Sequence, residues 1–282
     1  MHRAGNSDIT KDKKMYFSGK TDVGMKRSVN QDSYAFEHIA PNVSLVVVCD
    51  GMGGANGGNV ASSLACGTFI ENMKAEISNI GVGGIDSATP DMFEVMLIKS
   101  AKLANKIVYA ESAKSEELKG MGTTLVCALI VNDTAYVLNI GDSRAYLIFT
   151  DVIDQITHDH SYVQYLVDIG ELTEEEARNN TNKNIIMKAI GIDESVDPDL
   201  FRVEFGANAF LLLCSDGLTN YITEHDIKSR VLSFDYDAMI SKQNDLDRVC
   251  GELVDIANRN GGGDNITVAL YLHETTGKSR EV

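Results

Sequence analysis

The stretch that most constrains this chain is Leu45–Gly54, LVVVCDGMGG, in which five apolar residues run straight into Asp50, Gly51, Met52, Gly53 and Gly54. A run this short and this rich in β-branched residues predicts a buried strand over 43–49 rather than a helix. A carboxylate delivered by such a strand sits where water is scarce, and ionised and unpaired it would be costly. It needs hydrogen bonds, a cation or a metal ion. The glycines that follow let the backbone turn sharply and let a carbonyl approach a ligand closely. No lysine or arginine lies between Gly51 and Asn72 to act as a local partner, which points to a metal ion.

The feature recurs. LLLCSDG places Asp216 after an apolar strand, and GGGDNITVAL places Asp264 before one. Asp142 lies in a tight turn between strands in IGDSR, and Asp32 opens a strand in NQDSY. Any one aspartate in a turn is ordinarily just a turn residue, Asp142 beside Gly141 most of all. Jointly the pattern is harder to explain that way, because two of the five follow the most hydrophobic runs of the chain. Carboxylates at strand ends, distant in sequence, can converge at one end of a pair of sheets. Such an all-oxygen set suits Mg²⁺ or Mn²⁺ rather than zinc.

Around these strands the periodicity alternates between 2 and 3.6. A stripe at 61, 65, 69, 73 and 77 predicts a helix over 59–77 with Asn59 as its cap, and a second stripe at 93, 97, 101, 104 and 108 predicts one over 91–113. Strands are expected over 15–23, 33–37, 122–131, 134–140, 143–149, 201–205, 209–214 and 266–272, with helices over 224–232 and 246–259. Thr173 with Glu176 reads as a capping box. The expected fold class is α+β: a polar tail over 1–14, a single domain over 15–273 and a polar tail over 274–282. The 25 basic and 41 acidic residues leave a net charge of −16, which argues against nucleic acid or an anionic membrane as partner. No apolar stretch approaches the roughly 18 residues of a membrane span. Five scattered cysteines without a CxxC pair read as buried thiols, and with no apolar leader visible the expected location is cytoplasmic.

The segments KRSVNQD, VVVCDGMGG, MGTTL, NIGDSRAYL, THDHSYV, LLLCSDGL and GGGDNITV, in this order, resemble the PP2C-type (PPM family) metal-dependent serine/threonine protein phosphatases, in particular the bacterial branch. The resemblance runs from about Met15 to Leu272. It implies two central antiparallel sheets sandwiched between helix pairs, with the segment 161–190 as a flap beside the active site. It implies hydrolysis of phosphoserine and phosphothreonine in proteins by in-line attack of a water bridging two Mn²⁺ or Mg²⁺ ions. Asp50 would bridge the metals, with the Gly51 carbonyl, Asp216 and Asp264 completing the pair and Asp32 contacting it directly or through water. Asp142 would hold a third metal with Asp216, Arg27 would grip the substrate phosphate, and Asn265 would orient the ligands. The implied partners are phosphorylated proteins and a Ser/Thr kinase, with the chain acting as a monomer. Met52 stands where many eukaryotic relatives carry a histidine, and Gln31 where some have Glu.

Two alternatives fit the same segments: a catalytically silent regulatory relative, and a phosphatase dedicated to one regulator such as an anti-sigma antagonist. Intact Asp50, Asp216, Asp264 and Arg27 argue against the first. His158 and His160 read as structural residues entering the flap rather than a transition-metal pair. The glycines at 51–58 fail a GxGxxG pattern because position 56 is Asn, and Gly277-Lys278-Ser279 fails a P-loop because position 272 is Leu.

Overall fold

A computed structural model of the chain describes residues 16–53, 57–206, 208–234 and 241–274. The expected tail over 1–14, Gly54, and positions 275–282 lie outside the described residues. In chain order the elements begin with β1 (Tyr16–Asp22), β2 (Asp32–Ala40), β3 (Val43–Met52), α1 (Gly57–Ile80), α2 (Val82–Ile85) and α3 (Pro90–Ser112). The middle holds β4 (Gly122–Thr123), β5 (Leu125–Val131), β6 (Thr134–Ile140), β7 (Arg144–Phe149), β8 (Val152–Gln155), α4 (Tyr162–Asp168) and α5 (Glu174–Arg178). Then come β9 (Asp199–Glu204), β10 (Ala209–Cys214), α6 (Asp216–Thr219), α7 (Glu224–Val231), α8 (Lys242–Arg259) and β11 (Ile266–His273).

Two antiparallel sheets stack face to face, one ordered β1-β11-β10-β7-β8 and the other β2-β3-β5-β6-β9, with β4 paired to β3. Strand alternation explains the layering. Along β3, Val43, Leu45, Val47 and Cys49 face α1 and α3, while Val46 and Val48 face the opposite sheet. Along β10, Phe210, Leu212 and Cys214 face α7 and α8, while Ala209, Leu211 and Leu213 point inward. Strands apolar on both faces are what a central sheet covered on both sides requires. The result is a helix–sheet–sheet–helix sandwich with three apolar layers.

Several boundaries differ from the sequence reading. Helix α1 starts at Gly57, so Asn59 lies inside it and is not its cap. Strand β3 runs past Asp50 to Met52, because Gly51 and Met52 pair with Thr123 and Gly122 of β4. The short β8, α2 and α6 carry no periodic signal of their own. The Thr173 capping box is present, closed in both directions with Glu176. All five cysteines are free and buried. Among the described residues no helix is long and apolar enough to cross a membrane.

Candidate metal centre

The five aspartates singled out from the sequence come together at one end of the sandwich, drawn from both sheets. Asp32 on β2 and Asp50 on β3 are register partners across one sheet. Asp216 opens α6 directly after β10, and Asp264 lies just ahead of β11, so these two come from the other sheet. Asp142 sits in the β6–β7 connection, where the chain passes between the sheets. Asp32 and Asp142 are buried, whereas Asp50 and Asp216 are half-buried and reachable.

The electrostatics follow from that crowding. Burial, with Asp216 and Asp264 nearby, pushes the Asp32 carboxyl up to about 7 although Thr267 and Ser215 hydrogen bonds oppose the shift. Asp216 is pushed up to about 6, by burial first and then by Asp264. Burial and the neighbouring carboxylates hold Asp50 and Asp142 well above the usual carboxylate range. Like charges in a poorly solvated place cannot all ionise without compensation. The cation that reaches the cluster most directly is Arg27, whose Nη2 donates to Asp264 Oδ2 at 2.9 Å. That bond raises the already high Arg27 pKa further. Arg27 is thus bound to a carboxylate of the cluster, with half its side chain exposed.

Two oxygens bear on whether a metal ion fits. Asp32 Oδ1 and Asp216 Oδ1 are buried and make no hydrogen bond. Their sister oxygens are used: Asp32 Oδ2 accepts from Ser215 Oγ (2.9 Å) and Thr267 Oγ1 (2.6 Å), and Asp216 Oδ2 accepts from Asn220 Nδ2 (2.9 Å). A buried carboxylate oxygen without a donor is costly. Each therefore keeps a free lone pair of the kind that ligates a hard divalent cation. The donor set fits Mg²⁺ or Mn²⁺. Among the described residues, no three His, Cys, Asp or Glu side chains lie close enough together to hold a metal ion as they stand.

The backbone is held by residues that sequence reasoning left without a role. The Thr124 hydroxyl accepts from the Asp50 amide (2.8 Å) and shares a hydrogen bond with Ser143 Oγ (2.7 Å), beside Asp142. Thr123 Oγ1 donates to the Asp50 carbonyl (2.8 Å). For Asp32, Ser215 and Thr267 hold the side chain instead, through its Oδ2. Ser215 and Thr267 lie close to Asp216 and Asp264 in the sequence but hold Asp32, and Thr123 and Thr124 lie beside no candidate ligand, so no local signal marks them. Gly51 donates its amide to Gln31 O (3.2 Å), and a Cβ on it would lie 2.1 Å from Gly58 O, so α1 could not seat against β3 with any other residue there. Asn265 accepts from the Gln31 amide (2.8 Å) and donates to Val23 O (2.9 Å) and Val29 O (3.0 Å). It thereby fixes the loop that carries Arg27 and leads into Asp32.

A cleft of about 880 Å³ opens onto Asp142 and Asp216, walled on one side by α4 and α5 and on another by the start of α7. His158 and His160 are both engaged within the fold. His160 is buried, accepts from the Gly141 amide through Nδ1 (3.1 Å) and places Nε2 3.1 Å from Asp199 Oδ2. His158 Nε2 lies 2.8 Å from Asp168 Oδ2.

The raised carboxyl groups set a pH dependence. Asp32 and Asp216 have folded-state values of about 7 and about 6, above the ~4 of an unfolded aspartate. Between those values the folded chain holds protons that the unfolded chain has released, so their contribution to stability is present near pH 4 and lost as pH rises through 7. Stripped of divalent cations, the chain should unfold several degrees lower at pH 8 than at pH 5.5, and added Mn²⁺ should restore the loss. Thermal denaturation in EDTA at both pH values checks this; a midpoint that rises with pH would refute it.

A family model described as Protein phosphatase 2C matches residues 25–249. The serine/threonine phosphatase stp of Listeria monocytogenes is 36% identical over 272 residues, covering 95% of this chain and 99% of the relative. The crystal structure of the serine/threonine phosphatase Stp1 from Staphylococcus aureus superposes with a TM-score of 0.80 at 34% identity, over 93% of this chain and 96% of that one. The catalytic domain of the serine/threonine protein phosphatase PstP, solved in complex with two manganese ions, superposes with a TM-score of 0.74 at 29% identity, over 93% and 99% of the two chains.

Proposed function

Because the chain belongs to the protein phosphatase 2C family and is a protein serine/threonine phosphatase that uses divalent metal, we propose that Asp50, the Gly51 carbonyl, Asp216 and Asp264 hold a pair of Mn²⁺ or Mg²⁺ ions at the seam between the sheets. Asp32 would contact the pair directly or through water, and Asp142 with Asp216 would hold a third ion. When bound, paired cations supply a water of lowered pKa aligned for in-line attack on phosphorus. The observation that carries this reading is the two unpartnered buried oxygens, Asp32 Oδ1 and Asp216 Oδ1, inside a cluster of five carboxylates.

The remaining work falls to the chain's own side chains. The Thr124, Ser215 and Thr267 hydroxyls hold the ligands in place before substrate arrives, which lowers the cost of assembling the site. Arg27 is long and half-exposed, so its guanidinium can leave Asp264 once cations neutralise that carboxylate and take two oxygens of a phosphate in a forked contact. Met52 has no proton to give to a departing alkoxide, so it cannot act as the general acid. The substrates are phosphoserine and phosphothreonine proteins, the products of a Ser/Thr kinase.

Hydrolysis of p-nitrophenyl phosphate should require Mn²⁺ or Mg²⁺ and stop in EDTA, with phosphothreonine and phosphoserine peptides cleaved in preference to phosphotyrosine. Full turnover in EDTA, or turnover of phosphotyrosine alone, would sink the reading. In Arg27→Ala, loss of a charge-assisted contact worth roughly 1.5–3 kcal/mol should raise KM about tenfold to a hundredfold while kcat changes much less. Initial rates across a range of phosphopeptide concentrations check this; an unchanged KM would show that Arg27 serves Asp264 alone.

A further inference from the structure

The segment between α5 and β9 returns to the body of the protein at Ile190–Glu194, and α3 meets it with a buried amide. Asn105 is 1% exposed and sits among Ala101, Ala104 and Val108, all fully buried. An asparagine is a poor choice for a helix interior and for an apolar face, so its presence there calls for partners. It spends its side chain on one short stretch of distant chain. Nδ2 donates to Asp193 O (3.0 Å) and Glu194 O (3.2 Å), and Oδ1 accepts from the Gly191 amide (2.7 Å). Gly191 itself has φ +88°, and a Cβ there would lie 2.3 Å from Val108 Cγ1, one turn along α3 from Asn105. Just before it, Ile190 exchanges two backbone hydrogen bonds with Thr123 (3.0 and 2.8 Å), the residue whose hydroxyl holds the Asp50 carbonyl.

The exit of the flap is therefore pinned from two sides, by α3 and by the strand pair that carries Asp50. The flap's α4 and α5 wall the cleft that opens onto Asp142 and Asp216. A small aryl phosphate needs only the metal centre. A phosphopeptide also carries flanking residues, and this wall is within their reach.

We propose that Asn105 is a positioning residue that sets the flap wall through Gly191–Glu194 and so determines how well peptide substrates, as distinct from small phosphate esters, are accepted. This rests on the phosphatase reading above. The test uses the whole chain with Mn²⁺, comparing Asn105→Ala, Asn105→Asp and Gly191→Ala with wild type on a phosphothreonine peptide and on p-nitrophenyl phosphate. Asn105→Asp keeps the shape but turns a carboxylate toward two carbonyl oxygens, so it should behave like Asn105→Ala. The expected result is a fall of tenfold or more in kcat/KM for the peptide, mostly through KM, with the aryl phosphate changed less than twofold. In the same variants trypsin should cut faster at Lys183 and Lys188.

Parallel losses on both substrates, or a lower unfolding temperature with an unchanged substrate ratio, would overturn the proposal. Hydrogen exchange on the wild type needs no variant to fold: the Gly191 amide should be strongly protected, and fast exchange there would also overturn it. A wild type that hydrolyses neither substrate with Mn²⁺ would instead refute the phosphatase reading, and this inference with it, an outcome distinct from a loss confined to the peptide.

Discussion

Asp50→Asn should reduce kcat by at least about a thousandfold, equivalent to about 4 kcal/mol of transition-state stabilisation. The side chain keeps its shape but loses the negative charge that would lie between two cations, and an amide binds a hard divalent ion far less well than a carboxylate. The same substitution should move stability the other way when cations are removed. Burial and four surrounding carboxylates, those of Asp32, Asp216, Asp142 and Asp264, hold the Asp50 carboxyl well above its ordinary range. At pH 8 the wild-type folded state must keep that group protonated or accept a poorly solvated anion, and either penalises folding. Asparagine avoids both. In EDTA the variant should therefore unfold at a higher temperature than wild type at pH 8, with little difference at pH 5. Paired measurements of turnover with Mn²⁺ and thermal midpoint in EDTA check the two signs together. An active variant, or one uniformly destabilised at both pH values, would remove Asp50 from the centre of the site.

The second large effect is on folding. Arg144→Ala should cost about 3–5 kcal/mol, the usual range for breaking a buried ion pair from one side. Arg144 Nε lies 3.0 Å from both Asp159 oxygens and its Nη2 2.7 Å from Oδ2, while Nη1 reaches the Tyr146 hydroxyl at 3.1 Å. Asp159 is 8% exposed and Tyr146 fully buried. Removing the guanidinium leaves the Asp159 carboxylate and the Tyr146 hydroxyl with Gln155 alone, at 3.3 and 3.4 Å, and it uncovers a negative charge near Asp142, whose carboxyl already responds to Asp159. Arg144→Lys should recover little, because a point charge cannot make the planar fork. Urea denaturation of the Mn²⁺-loaded protein measures the cost; a loss under 1 kcal/mol would mean that Asp159 finds another partner.

The legibility of this protein in its sequence was uneven, for physical reasons. The strand cores of β5, β6, β10 and β11 could be read because both faces are buried, which leaves unbroken apolar runs bounded by turn residues. The carboxylates could be read because an ionised aspartate beside such a run needs a cation to offset its lost hydration. What could not be read was set by partners distant in the chain. β3 extends past Asp50 only because β4 arrives 70 residues later to pair with it, and α1 begins at Gly57 only because glycines let it approach Gly51. The hydroxyls of Thr124, Ser215 and Thr267 look like ordinary turn and strand residues until the fold brings Asp50 and Asp32 to them. The Arg27–Asp264 pair spans 237 positions and leaves no local trace. Resemblance to the phosphatase family supplied roles for single residues that spacing alone left open.

The proposed ligand set is divided between the halves of the sandwich, Asp32 and Asp50 on one sheet and Asp216 and Asp264 on the other. An ion held by both groups is consequently a rivet through two plates, each of which has its own helix-covered core. Loaded, the plates should yield to denaturant or to mechanical pull as one body; emptied, they lose the rivet and keep the apolar layer and the Ser215 and Thr267 hydrogen bonds to Asp32, so separation should begin at the aspartate end.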